Sequence, residues 1–237
     1  MRANRPCSIS CARSAEENTI APDTLTRRAL NRDKVESAIL QEAVRLFAES
    51  GYEGSSIATV AERAGLSKQN LMYYFPTKEA LYRRVLDNVL DDWLARMASL
   101  ADARKEPADV LRAYVRAKLA FSREQPLASR VYALEVIGGA TVYGEQIRHR
   151  VIPLLRADIA VFEHWIAEGR IAPVNATHLL FAVWAMTQSY ADFSAQMTLV
   201  LGREQLDERD FADAERLVTN MVLAAVGLHD HIHDEER

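Results

Sequence analysis

The stretch from Ser55 to Lys78 constrains the fold of this 237-residue chain more than any other part. Ser56 and Ser67 each precede a short segment with apolar residues at helical spacing, and a serine oxygen caps the free N–H groups of a first helical turn. Gly65 separates the segments, because glycine adopts the left-handed backbone of a helix end without steric penalty. Pro76 ends the second segment. The pattern predicts a helix-turn-helix, whose second helix enters the major groove of DNA.

The second segment carries polar side chains suited to DNA. Leu71 and Phe75 lie four residues apart and are predicted to point inward. Lysine binds phosphate or guanine, and glutamine and asparagine pair with adenine edges. On spacing alone, a small helical hairpin with half-buried tyrosines is the alternative to DNA binding. The predicted DNA contacts are Ser56, Lys68, Gln69, Asn70, Tyr73, Tyr74 and Lys78, the last beside exposed N–H groups at a helix start.

Charge is distributed unevenly along the chain, whose net charge is -4. Residues 25–84 hold 10 Lys and Arg against 7 Asp and Glu, whereas residues 85–237 hold 16 against 23. Because nucleic acid attracts a basic surface, the front of the chain is the predicted contact and the acidic remainder should point away from DNA. Hydrophobic residues make up 49% of the chain, and Gly (9) and Pro (7) are scarce, which argues against an all-β fold.

Several classes of protein are disfavoured. No apolar run is long enough to span a bilayer and the N-terminus lacks an apolar signal core, so we expect a cytoplasmic protein with no membrane partner. Cys7 and Cys11 lie in the polar leader, where a reduced tail is favoured over a metal or redox pair. No Walker loop, Rossmann glycine set, zinc-protease motif or nucleophile elbow is present. We therefore predict no enzyme activity, no cofactor and no metal site, and interpret the histidine-rich end as a solvated tail.

Helix signals and breaks along the chain predict an all-α fold. The first helix is predicted from about Asp33 to Ser50, and a long fourth helix, capped by Thr77, rigidly connects the DNA-binding part to the rest. A helix from Gly144 to Gly169 should be interrupted at Pro153, and another should run from Asn175 to Leu201. The predicted parts are a disordered leader at 1–24, a three-helix helix-turn-helix domain at 25–84, a helical ligand-binding and dimerisation domain at 85–228, and a flexible tail at 229–237.

Polar side chains interrupt two apolar faces of the second domain. Lys118 lies beside the apolar stripe of its helix with Ser122 one turn on, and a lysine there usually extends its ammonium to water; the alternative is a polar ligand between helices. A buried amide needs hydrogen bonds, so Gln188 implies a partner, and the residues alone favour a structural or dimer partner over a ligand. Trp184 offers a flat face for a planar ring. This second stripe consists of Trp184, Gln188, Asp192 and Gln196.

The first domain resembles the DNA-binding domain of the TetR family of bacterial repressors. The resemblance runs from Ala43 to Leu81 and includes Ala64-Gly65-Leu66-Ser67 and Leu71-Met72-Tyr73-Tyr74-Phe75. Thr59 departs from the family pattern, in which an acid at this position forms a capping box with the N-cap of the first short helix of the helix-turn-helix. The resemblance implies a transcriptional repressor that binds a palindromic operator as a homodimer.

Stretches of the second domain resemble the C-terminal domain of the pyrimidine-utilisation regulators within that family. These stretches are Lys118–Arg123, Pro126–Arg130, Glu135–Ala140 and Trp184–Phe193. The resemblance implies a homodimer through the last two long helices and a pyrimidine effector such as uracil. A purine, an amino acid or an amphiphile is the alternative effector, and a helical adaptor that never binds DNA is the alternative class. The ligand-binding residues so implied are Trp93, Lys118, Ser122, Trp184 and Gln188, with Trp93 coupling the pocket to the DNA-binding part.

Overall fold

The computed structural model describes residues 22–97 and 103–228, and all regular structure in these ranges is helical, which confirms the predicted all-α class. Contacts divide the chain between Ser37 and Ala38 into two compact units, and every contact described below lies within the second. None of the described helices is long and apolar enough to cross a membrane. The helices are α1 (Pro22–Ser50), α2 (Ile57–Arg63), α3 (Lys68–Tyr74), α4 (Lys78–Met97), α5 (Pro107–Glu124), α6 (Pro126–Ile137), α7 (Gly144–Gln146), α8 (Ile152–Ala167), α9 (Ala176–Asp192), α10 (Ser194–Leu201) and α11 (Glu208–Ala225).

The first helix is longer than the sequence pattern indicated. It begins at Pro22 rather than near Asp33 and therefore overlaps the end of the predicted leader. Proline is favoured in a first helical turn, and the leucine, alanine and arginine residues that follow have high helix propensity even without an apolar stripe. The rest of the leader at 1–21, with Cys7 and Cys11, and the tail at 229–237 lie outside the described residues.

The helix-turn-helix forms as predicted. Gly51 ends α1 with φ +68° and Gly65 follows α2 with φ +69°, both in the left-handed region that favours glycine. Leu71 and Phe75 are buried, as their spacing indicated. Behind α2 and α3, the Phe47 ring packs edge-on against the Tyr82 ring of α4 with centroids 4.9 Å apart, so α4 shares the core of the three-helix unit.

A second core surrounds α5, which packs against α4, α6, α9 and α11. Its largest member is Trp165 of α8, which is fully buried. The indole Nε1 of Trp165 donates to the carbonyl oxygen of Ala103 at 2.7 Å, so the polar atom of this buried ring is satisfied. The core therefore holds α8 against the segment that precedes α5.

The sequence predicted a single helix from Asn175 to Leu201. This prediction is wrong in one respect, because the chain breaks at Phe193 into two helices, α9 and α10. The hydroxyls of Ser189 and Ser194 donate to carbonyl oxygens three residues earlier, at 2.8 and 3.0 Å, and such bonds bend helices. Gln196 therefore lies exposed on α10 and does not continue the polar stripe of α9.

The interruption predicted at Pro153 is confirmed and takes a specific form. A π-helical turn, Ile147–Val151, separates α7 from α8 just before the proline. Proline has no N–H to donate to the preceding turn, and a π turn is a common place for a helix to absorb such a break.

Candidate DNA-reading helix and effector pocket

Helix α3 presents a polar face to solvent. Its start is capped by Ser67, whose Oγ accepts from the N–H of Asn70 at 3.1 Å. Tyr73 is 75% exposed, and its ring meets the half-buried Tyr74 ring edge-on at 5.4 Å. The exposed residues at the start of α3 are Lys68, Gln69 and Asn70, all three of them predicted DNA contacts. The structure therefore brings these polar side chains to one accessible face.

Helix α2 is capped by Ser56, as predicted. The Oγ of Ser56 accepts from the N–H of Thr59 at 3.1 Å and lies 2.9 Å from the Thr59 hydroxyl. Thr59 stands where the family has an acid, and its hydroxyl makes a neutral contact in place of a charge-assisted one. Ser56 is exposed and therefore accessible to DNA, and its role as a DNA contact stays a prediction.

Lys78 has a structural role that the sequence did not indicate. Its Nζ donates to the carbonyl oxygens of Tyr52 and Ser55, at 2.9 and 3.3 Å, and lies 4.2 Å from the centre of the Tyr52 ring. These contacts fasten the loop between α1 and α2 to the start of α4. A phosphate would compete with two carbonyl acceptors for this ammonium, and the predicted phosphate contact remains untested.

Lys68 is differently placed. Among the described residues it makes no ion pair or hydrogen bond, and it is exposed at the first position of α3. Arg63 and Arg83, by contrast, pair with Glu49 and Glu79 at 2.9 and 2.7 Å. Lys68 is therefore a cation available to a DNA phosphate or base.

Lys118 lies at the centre of the second candidate site. It is 1% exposed, and its Nζ lies 4.5 Å from the Trp93 ring centre and 5.9 Å from that of Trp184. It is the one fully buried side-chain nitrogen or oxygen without a hydrogen-bond partner in the described parts of the chain. Burial lowers the pKa of Lys118 to about 7, against a smaller opposing effect of Asp192. The expectation that its ammonium reaches water is wrong, because α9 and the two indoles enclose it.

Hydrogen bonds between polar groups join α9 to α5 and α6. The Ser122 hydroxyl donates to the carbonyl oxygen of Thr187 at 2.9 Å, and the Ser129 hydroxyl donates to Asp192 at 2.8 Å. Gln188 lines a cavity of about 10 Å³, here called the Gln188 cavity, which holds no more than about one water molecule. Its other lining residues are Val89, Leu90, Trp93, Phe121, Ser129 and Tyr132.

A larger cavity of about 370 Å³ shares the Trp93 wall. We call it the Asp158 cavity; Trp184 and Tyr114 also line it, and the Trp184 Nε1 donates to the Tyr114 hydroxyl at 2.6 Å. Trp93 and Trp184 meet edge-on with centroids 5.8 Å apart. Two of the implied ligand residues, Trp93 and Trp184, lie beside Lys118. Gln188 lines a cavity with Trp93, and Ser122 bonds to the α9 backbone. Their binding role remains a prediction.

Sequence reasoning missed Asp158 and Tyr114. Asp158 lies three and four residues after Leu155 and Leu154, on the apolar side of α8, and that interruption was a detectable signal. Tyr114 looked like an ordinary core residue, and only the contact with Trp184 distinguishes it.

A polar cluster joins α4 to the helices beyond the pocket. The Glu135 carboxylate, which is buried, accepts from the N–H groups of Val142 and Tyr143, both at 2.8 Å. The Tyr143 hydroxyl donates to Asp87 of α4 at 2.5 Å, and Arg150 lies 3.6 Å from the same carboxylate. If α4 shifted, these contacts would either break or move together with α4.

The second helix of the pair is capped and exposed, and the long helix after it lines a buried cavity. This arrangement is typical of helix-turn-helix transcriptional regulators. The model for bacterial regulatory proteins of the tetR family matches residues 39–85, and that for the C-terminal region of YcdC-like proteins matches residues 86–229. The chain belongs to the TetR family. It is 36% identical over 199 residues to the transcriptional regulator RutR of Escherichia coli strain K12, covering 84% of this chain and 92% of RutR.

Solved structures share the fold. A tetR-family regulatory protein from Rhodococcus RHA1 has a TM-score of 0.68 at 18% identity, covering 83% of this chain and 99% of that one. AibR, solved with isovaleryl coenzyme A and operator DNA, has a TM-score of 0.61 at 20% identity, covering 81% of this chain and 98% of AibR. RutR and the tetR family that the chain matches are transcriptional regulators, which confirms the prediction that this chain is not an enzyme.

Proposed function

We propose that this regulator acts in the cytoplasm as a homodimeric repressor, and that a pyrimidine such as uracil releases it from a palindromic operator. The observation that carries the effector proposal is the buried Nζ of Lys118, which has no hydrogen-bond partner among the described residues and lies 4.5 Å from the ring centre of Trp93, a residue that also lines the Gln188 cavity. An unsatisfied buried polar group costs about 1–3 kcal/mol, and a ligand carbonyl would relieve that cost. Uracil offers carbonyl oxygens to Lys118 and an N–H and C=O edge to the Gln188 amide.

Effector binding would be coupled to a change of shape. The Gln188 cavity, at about 10 Å³, is too small for a pyrimidine, so the ligand must favour a state in which its walls have moved apart. Val89, Leu90 and Trp93 of α4 form one wall, and α4 begins in the core of the helix-turn-helix. A ligand with higher affinity for the opened state would shift the population toward it and move α4.

The dimer proposal rests on the last helices. Leu199 and Val200 of α10 are 83% and 81% exposed, and Leu217 and Met221 of α11 are also exposed. A groove of about 600 Å³ runs between α9, α10 and α11. Exposed apolar area of this kind marks an interaction surface, and a second copy is the occupant we propose.

We place the boundary between DNA-binding and effector domains near Arg84.

Lys68 and Lys105 give a matched test of the DNA interface, because both are exposed lysines and only Lys68 lies on α3. Gel shifts with DNA flanking the gene should give a sequence-selective, salt-sensitive complex. We expect Lys68→Ala to weaken binding to all sequences and to reduce the salt slope by about one, with Lys105→Ala unchanged. Equal behaviour of the two variants, or the absence of a selective complex, would favour the helical adaptor.

Gln188 and Gln205 give a matched test of the effector site. Calorimetry with uracil and thymine, with a purine and an amino acid alongside, identifies the ligand class. We expect Gln188→Ala to lose the pyrimidine response while keeping operator binding and the dimer, and Gln205→Ala, an exposed loop change, to keep all three. Loss of the dimer in Gln188→Ala would make Gln188 an interface residue, and heat from none of the pyrimidines would remove the proposed effector.

A further inference from the structure

The Asp158 cavity has a chemistry that the pyrimidine proposal does not use. Its volume of about 370 Å³ lies in the range of small-molecule pockets, about 300–1,000 Å³. Most of its lining is apolar, and its polar groups are few: the Asp158 carboxylate and the Tyr114 hydroxyl. The remaining lining residues are Trp93, Leu94, Ala95, Val151, Leu154, Leu155, Ala157 and Trp184.

Asp158 is a half-buried acid without a counterion. It makes no ion pair or hydrogen bond with any residue that the structure describes, whereas Asp87 and Asp91 of α4 both pair with Arg150. Burial alone raises the pKa of Asp158 to about 6, so the side chain is mostly a carboxylate above neutral pH. A carboxylate in an apolar wall is stabilised by any cation that enters beside it.

The aromatic groups add a second element of recognition. Trp93 and Trp184 line the cavity, and indole rings attract cations through the ring quadrupole. The Tyr114 hydroxyl accepts from the Trp184 indole, while its own proton has no acceptor among the described residues and can be donated to a ligand. An anion, a hydroxyl donor and two indoles around one space suit an organic cation with an apolar body.

We propose that the Asp158 cavity is a second effector site, which binds a small primary amine or amidine carrying an aromatic or aliphatic body. The ammonium group would pair with Asp158, and the body would lie against the indoles and the leucines of α8. A protonated Lys118 would repel a cationic ligand. It does not line this cavity, however, and its Nζ lies against the Trp93 ring. Because Trp93 walls both cavities, an amine and a pyrimidine would influence each other's binding.

The test uses the full chain, with phenethylamine as the cationic probe and phenethyl alcohol as its neutral analogue. Calorimetry above the pKa of Asp158 should show one amine per chain, bound about tenfold or more tightly than the alcohol, because a charge-assisted hydrogen bond is lost with the charge. Asp158→Asn should bind both probes with equal affinity. The control Glu163→Gln changes an exposed acid on the same helix and should behave as the unmodified chain.

Three results would overturn the proposal: equal affinity of the unmodified chain for both probes, a preference for the amine that survives in Asp158→Asn, or no binding of the amine. Thermal unfolding of Asp158→Asn, with Asp158→Ala as a second variant, confirms that the compared proteins are folded. Uracil affinity, measured on the same samples, should be unchanged in Asp158→Asn, so the outcome here is separable from that of the pyrimidine proposal.

Discussion

Replacing Lys118 by methionine should stabilise the protein at neutral pH. Methionine retains the length and apolar volume of the lysine stem and removes the buried amine that has no hydrogen-bond partner. Replacing buried charges by apolar groups of similar volume is often stabilising. The same substitution should abolish the pyrimidine response while leaving operator binding intact, because α3 is unchanged.

The size of the effect follows from the pKa. Burial lowers the pKa of Lys118 from 10.5 to about 7, so the unfolded chain binds this proton more tightly than the folded one. At one pKa unit per 1.36 kcal/mol, the lysine destabilises the fold by about 4 kcal/mol near pH 7.5. The penalty is full below the folded pKa and disappears as the pH rises toward the unfolded pKa, reaching about 1.5 kcal/mol near pH 9.5.

Chemical denaturation of the unmodified chain and of Lys118→Met, at several pH values in that window, measures the difference directly. We expect the stability advantage of the variant to shrink by about 2 kcal/mol or more as the pH rises from 7.5 to 9.5. The exposed control Lys105→Met should stay within about 0.5 kcal/mol of the unmodified chain throughout. A difference that does not change with pH would refute the argument from burial.

Other perturbations test the remaining structural claims. Tyr143→Phe removes the hydroxyl that donates to Asp87 and should lower the free energy of unfolding, measured in denaturant, by about 1–3 kcal/mol. An unchanged free energy of unfolding would show that this hydrogen bond does not stabilise the fold. Trp165→Ala opens a cavity in the second core and should cost about 3–5 kcal/mol by the same assay; a smaller loss would mean the core collapses around it. Gly65→Ala places a side chain at φ +69° with no steric neighbour, so calorimetric melting should show a loss of about 1 kcal/mol from the backbone alone, and no loss would contradict the strain argument.

Sequence reasoning succeeded where local chemistry decides the structure. Ser56, Ser67, Thr77 and Asn175 each cap a helix by accepting a backbone N–H, as their positions before periodic segments indicated. Gly65 ends α2 because glycine adopts the left-handed backbone found there without steric penalty. Such signals need only a few consecutive residues, which is why the helix-turn-helix was predictable almost residue by residue.

The sequence failed where the outcome depends on residues far apart in the chain. The burial of Lys118 is decided by Trp93 and Trp184, which lie on other helices, and no pattern within α5 distinguishes an enclosed lysine from one that reaches water. Lys78 likewise binds carbonyl groups of residues 52 and 55, a contact that requires knowing how the α1–α2 loop folds back. The position of Asp158 beside Tyr114 is also a property of the assembled bundle.

The π-helical turn at Ile147–Val151 gives α8 a particular angular setting. A π turn corresponds to one residue inserted into an α-helix, and each α-helical residue advances the chain by about 100° around the axis. The wide turn absorbs its extra residue locally, so deleting one residue from it would leave a regular α-helix with Asp158, Phe162 and Trp165 still facing the interior. A one-codon deletion within α8 before Asp158 has no such turn to absorb it and would rotate all three side chains away together by about 100°.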